Sequence, residues 1–303
     1  MVLMQEQKTN PFMLSCCSTA DMPKSFFEER KIAIVSFSYI IDGVSYPDDL
    51  GQTTPYAEFY EKIKQGALPT TSQVSVQGYK DLFESALKAG EDVLHITLSS
   101  GISGTYGSAL IAQEQLQEDY PNRRIYVIDS LCASSGYGLL MTMVADLRDQ
   151  GKTIDEIQDW VLENRTTIHH WFFSTDLTHY FRGGRISRRS AFFGNMLHIC
   201  PLMNVDLEGK LVPRFKIRGK AKVIKHAVEI MEEKALNGTD YAGYCYISTS
   251  DDFKVAEKLK AMIEERFPKL KVEIKINWIG AVIGAHTGPG TTAFYYQGSE
   301  REV

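Results

Sequence analysis

The sequence predicts an α/β protein in two domains. Residues 12–165 are expected to form a Rossmann-like domain with a largely parallel sheet, and residues 166–303 an α/β domain with antiparallel strands. Three observations predict this. The chain has 303 residues, about twice an ordinary domain. Up to residue 165, β-rich apolar runs alternate with helical patterns, as in βαβ units around a parallel sheet. Beyond residue 165 hairpin signals enter, the clearest being Leu207-Glu208-Gly209-Lys210 between two short β runs.

In chain order, residues 12–18 read as a short buried strand. Residues 32–41, rich in β-branched and aromatic side chains, read as a stronger one that ends in the turn signal Asp42-Gly43. Helices follow over 56–65 and 77–89, separated by a loop over 66–74; Gly90 closes the second helix. The run 93–98 is a central strand, and 108–116 a helix. Residues 124–129 are another buried strand, followed by a helix to 150. Thr153 with Glu156 forms a capping box that opens a helix to about 164. In the second half, strands are expected over 171–175, 244–248, 271–278 and 292–296. Helices are expected over 191–199, 220–234 and 252–267. The segment 279–290 is apolar and glycine-rich and carries no clear element.

The totals exclude several functions. With 44% hydrophobic and 23% charged residues the chain has the composition of a folded globular protein. A net charge of −5 gives no footing for nucleic-acid binding. Its apolar runs are too short to span a bilayer, and residues 1–10 are mixed and polar rather than a signal peptide, so a cytoplasmic location is expected. The cysteines, Cys16, Cys17, Cys132, Cys200 and Cys245, are odd in number and lack metal spacing, so packed free thiols are expected. No metal or cofactor is expected: His169-His170 point apart on a regular element, and the phosphate-loop glycine patterns are missing.

The stretch Leu98-Ser99-Ser100-Gly101-Ile102-Ser103-Gly104-Thr105-Tyr106 carries the most chemistry. It lies where a buried strand should give way to a helix, the usual ligand position in an open α/β sheet. Unpaired N–H groups at a helix start, together with small hydroxyl side chains, read as a cradle for an anionic head group. The alternative reading is that these serines only cap the helix.

Five segments together resemble the DegV family of bacterial fatty-acid-binding proteins. They are Pro69-Thr70-Thr71-Ser72-Gln73, the serine-rich stretch from Leu98 to Tyr106, Ile128-Asp129-Ser130, Arg182-Gly183-Gly184-Arg185-Ile186, and Ile283-Gly284-Ala285-His286-Thr287-Gly288-Pro289-Gly290. The resemblance implies one long-chain fatty acid held between the two domains, its carboxylate at the junction and its tail in an apolar tunnel. It also implies presentation to a separate ATP-dependent fatty acid kinase. Thr71 and Ser103 would donate to the carboxylate, with His286 beside them. Two departures stand out. Cys17 occupies the first position of the family's Asp-Ser-Thr-Ala-Asp, and Val74 replaces a loop proline.

Each of these residues also has a plain reading. Thr71 is an ordinary loop hydroxyl, and His286 a hydrogen-bonded core histidine. Arg182 and Arg185 either face a head group or an acidic partner, or form internal pairs. Arg218, clustered with Arg214, Lys220 and Lys222, either meets the kinase or an anionic membrane surface, or is a solvated face. A serine hydrolase is the rival activity, but Gly101-Ile102-Ser103-Gly104-Thr105 breaks the nucleophile-elbow pattern.

Overall fold

A computed structural model describes residues 11–187 and 199–303. The first half runs β1 (Phe12–Cys17), α1 (Lys24–Glu29), β2 (Ala33–Val35), β3 (Ser38–Ile41), β4 (Val44–Pro47), α2 (Tyr56–Lys64), β5 (Thr70–Ser72), α3 (Val76–Lys88), β6 (Asp92–Thr97), α4 (Thr105–Asp119), β7 (Ile125–Asp129), α5 (Ser134–Asp149) and α6 (Ile154–Asn164). The second runs β8 (Ile168–Phe173), α7 (Thr178–Arg182), β9 (Ile199–Val205), β10 (Leu211–Arg218), α8 (Lys220–Lys234), β11 (Cys245–Thr249), α9 (Phe253–Arg266), β12 (Lys275–Trp278), α10 (Ala281–Thr287) and β13 (Thr292–Gln297). The fold is α/β. One sheet, in the order β2-β1-β6-β7, is wholly parallel. A six-stranded sheet, β10-β9-β8-β13-β11-β12, is antiparallel except for its β11–β12 edge. A small antiparallel sheet, β4-β3-β5, makes the third.

The strands of the parallel sheet are nearly continuous apolar runs because helices cover both faces. The antiparallel sheet alternates instead. On β13, Ala293 and Tyr295 join the core of the first lobe, whereas Phe294 and Tyr296 face α8 and α9 with Val223, Ala227, Leu259 and Ile263. Helix α5 joins the two lobes. It is buried on all sides over its first nine residues, Ser134 to Thr142, and packs against β8, β11 and β13. Such a helix lacks a wet face because sheets lie on either side of it.

Four expectations are corrected. The single strand read over 32–41 is two strands in different sheets. At Ser36 and Phe37 the chain leaves the parallel sheet, and the Phe37 N–H donates to Ser18 Oγ at 3.2 Å instead of to a neighbouring strand. The loop over 66–74 contains β5, whose Thr71 pairs with Tyr39. The apolar segment 279–290 contains α10, a helix of only seven residues whose interior Gly284 lowers its helix propensity. The last edge strand of the antiparallel sheet begins at Lys275 rather than at 271. The helix expected over 191–199 lies outside the described residues, apart from Ile199, which opens β9. All five cysteines are free and buried. Among the described residues no helix is long and apolar enough to cross a membrane.

Candidate functional site

A cavity of about 160 Å³ lies between the parallel-sheet lobe and the antiparallel sheet. Its lining changes with depth. Thr71, Gln73, Ser103 and Arg185 are half-buried or exposed and mark the mouth, whereas Phe172, Ala293, Tyr295 and Leu98 are buried and mark the interior. Val205 and Leu211 close one side, and Ile279, Val282 and Ile283 another. A wall of this kind takes a ligand with one polar end and an apolar body.

Strand β5 and helix α10 set the head of the site. Thr71 Oγ1 lies 2.8 Å from His286 Nε2, a contact between residues 215 positions apart. Burial is the main cause that pushes the His286 imidazole down to about 4, and the Arg185 and Arg182 guanidinium groups add to it. The ring is therefore neutral at pH 7. With its proton on Nε2, His286 donates to Thr71 and leaves the Thr71 O–H to donate into the cavity. His286 Nδ1 is buried without a partner and abuts Gly183, where any Cβ would collide with it.

Ser103 precedes α4. Its Oγ accepts from the Thr105 N–H at 3.2 Å, so its own O–H remains a donor. Within the turn itself the backbone amides are engaged internally. The Ser100 N–H donates to Asp129 Oδ1, the Gly101 N–H to Ser99 Oγ, and the Ile102 and Ser103 N–H groups to the Ser99 carbonyl. Ser99 itself is buried and donates to the Gly209 carbonyl at 2.9 Å, which ties this turn to the β9–β10 hairpin. The N–H groups of Ser100 to Ser103 are thus engaged within the turn, and the Thr105 N–H is bound by Ser103 Oγ.

Arg185 supplies the charge. Its Nε donates to the Ile102 carbonyl at 3.1 Å and its Nη1 to the Gly183 carbonyl at 2.5 Å. Among the described residues no carboxylate partners it, and burial alone lowers its pKa. A half-buried cation without an acid on a cavity wall favours an anion. The other basic candidates lie elsewhere. Arg182 donates to the Leu68 and Pro69 carbonyls and so clamps the segment leading into β5. Arg218 is exposed at the end of β10 and does not line the cavity. Its neighbours Arg214 and Lys220 are engaged with Asn204 and Asp252.

Sequence reasoning named Gln73 only as part of a motif. The structure puts it on the cavity wall, with its Nε2 donating to Ser108 Oγ at 2.9 Å. The interior residues Ser134 and Tyr295 were not expected at a site, and His170 was weighed only as a metal ligand. They come from a helix start and two strands that carry no joint motif.

Comparison with known proteins fits this geometry. The DegV family model, described as an uncharacterised protein family, matches residues 17–298. A DegV domain-containing protein of Clostridium perfringens is 38% identical over 292 residues, covering 96% of this chain and 99% of its own. The crystal structure of DegV from Bacillus subtilis, named a fatty acid binding protein, aligns with a TM-score of 0.82 at 28% identity, over 96% of this chain and 100% of that one. A DegV family protein from Thermus thermophilus, described for its fatty acid binding, aligns with a TM-score of 0.85 at 26% identity, over 95% and 99%. On the extent of these matches and the motifs that line its cavity, the chain belongs to the DegV family.

Proposed function

We propose that the chain binds one long-chain fatty acid between its two domains, 12–165 and 166–303. Thr71 and Ser103 hold the carboxylate beside Arg185, His286 orients the Thr71 hydroxyl, and the acyl tail fills the apolar interior. The observation that carries this reading is the cavity itself: hydroxyl groups and a guanidinium that no carboxylate among the described residues partners line the mouth, and mainly apolar side chains line the wall behind them. A carboxylate leaving water must regain donors, and charge-assisted hydrogen bonds supply them. The tail supplies most of the affinity. Each buried methylene is worth about 0.8 kcal/mol, so a sixteen-carbon chain gains on the order of 10 kcal/mol before entropy losses.

The fatty-acid-binding relatives support this assignment. The family resemblance extends it: the bound carboxylate is presented to a fatty acid kinase, and exposed Arg218 is a cation for that partner or for a membrane surface. A hydrolase finds no matching geometry. His286 engages Thr71 rather than Ser103, and among the described residues no carboxylate orients its Nδ1.

Mass spectrometry of lipid extracted from protein purified from bacteria tests the reading. About one fatty acid per chain is expected. Finding no lipid, and no uptake of added palmitate or oleate, would overturn it.

A further inference from the structure

The turn that ends α7, Arg182-Gly183-Gly184-Arg185, belongs to the second lobe, yet it touches the chain beside all three residues of the head-group site. Arg182 Nη2 donates to the Leu68 carbonyl at 2.7 Å and to the Pro69 carbonyl at 3.4 Å, just ahead of Thr71. Arg185 Nε donates to the Ile102 carbonyl at 3.1 Å, next to Ser103. Between the two arginines, Gly183 lies against His286: a Cβ at residue 183 would sit 2.3 Å from the imidazole Nδ1. The backbone of Gly183, at φ −71° and ψ −10°, suits any residue, so the close approach and not the conformation calls for glycine.

Strand β5 needs such a hold. It has three residues, lies at the edge of its sheet, and pairs only with β3. The chain enters it through Gly66, at φ 101°, and the exposed Leu68. A ladder along one edge leaves the approach of β5 to α10 to side chains. Thr71 Oγ1 and His286 Nε2 are 2.8 Å apart, so a shift of about 1 Å at either one breaks their bond. We propose that Arg182 is a positioning residue for fatty acid binding: its guanidinium clamps the Leu68 and Pro69 carbonyls and, with Gly183 seated against the imidazole, sets Thr71 within reach of His286. This rests on the fatty-acid-binding reading above. Arg182 is exposed and does not line the cavity, so it acts on the ligand through the residues it holds. Two carbonyls on one planar guanidinium fix direction as well as distance.

The experiment is oleate affinity by titration calorimetry for the wild type, Arg182→Met, Thr71→Val, the double variant and Gly183→Ala. A thermal melt checks folding, and the 1H–15N signals of the His286 ring are recorded in each ligand-free protein. Arg182→Met should bind oleate about tenfold more weakly, with little change in Tm because the residue is exposed. In the Thr71→Val background the same substitution should cost less than about twofold, since no hydroxyl is left to place. The His286 signals in Arg182→Met should move towards those of Thr71→Val. Gly183→Ala should weaken binding and move the same signals from the other side, by pushing the imidazole off Thr71. Unchanged affinity in Arg182→Met would overturn the proposal. An equal loss in both backgrounds would overturn it too, as the mark of a missing charge or a loosened lobe rather than of a misplaced Thr71. If Gly183→Ala does not fold, Arg182→Met and its double variant decide alone. Should the wild type bind no oleate, the binding reading has failed, and the His286 signals then decide the clamp: movement towards Thr71→Val in Arg182→Met supports it, and signals identical to the wild type overturn it.

Discussion

Ser103 illustrates how little a side chain needs in order to be useful. Its Oγ is already an acceptor for the Thr105 N–H, which fixes the hydroxyl and leaves a single proton to give. Replacing it removes one donor to an ionised acceptor, worth about 1.5–3 kcal/mol, and leaves one half-buried amide unpaired. Ser103→Ala should therefore weaken fatty acid binding by about tenfold or more, with little change in Tm. Titration calorimetry with oleate and a thermal melt measure the two sides; unchanged affinity would remove Ser103 from the head-group site. At this scale the sequence was legible where a residue type has one job. Thr71, Ser103 and His286 do meet around one cavity mouth. Sequence does not reveal that Asp129 and Ser99 engage the amides of residues 100 to 103 in the serine turn. Arg185 could not be told apart from Arg182, since only packing decides which guanidinium keeps no acid.

Elements were legible where hydrophobic periodicity is long and were lost where strands are short. The capping box at Thr153 and Glu156 is present as read, and the central strand and its neighbours lie where apolar runs placed them. Strand β5 has only three residues, none strongly apolar, and pairs through its backbone, so nothing in its side chains announces it. Helix α5 is the opposite case, a helix whose surroundings leave no room. A Cβ on Gly136 would collide with the His170 ring and come within 2.6 Å of Tyr295. Both residues line the cavity. Gly136→Ala should thus act twice. It should destabilise the fold by about 1–3 kcal/mol through overpacking, despite alanine's better helix propensity. It should also push two rings into the space proposed for the tail and so weaken binding. A thermal melt together with an oleate titration tests this. A rise in Tm would mean that helix propensity outweighs the close approach.

At the scale of the whole molecule, the described residues form two hydrophobic clusters, the larger drawn from both lobes, and the interior holds neutral histidines. Burial pushes His95 down to about 3 and His169 to about 4, lowers His170 well below its ordinary value, and takes His286 to about 4. Each remains neutral in the folded chain while the unfolded chain takes up a proton near pH 6.5. Folding therefore loses stability as the pH falls from about 6.5 towards 4, at about 1.4 kcal/mol per pH unit for each ring. Asp21 and Asp48 act in the opposite sense. Burial raises both carboxyls in the folded state, Asp48 to about 6, so above the ordinary carboxylate range the folded state binds protons that the unfolded state does not. Burial lowers His179 too, so the histidines outnumber the two raised carboxyls and stability falls in acid. Tm should accordingly drop by about five degrees between pH 7 and pH 5, a range in which ordinary surface carboxylates are still ionised. The effect belongs to the core rather than to the ligand, so it should persist in delipidated protein. Differential scanning calorimetry across that range is the measurement. A flat or rising Tm would show that these rings gain protons without unfolding, and that the interior between the two sheets is far wetter than its packing implies.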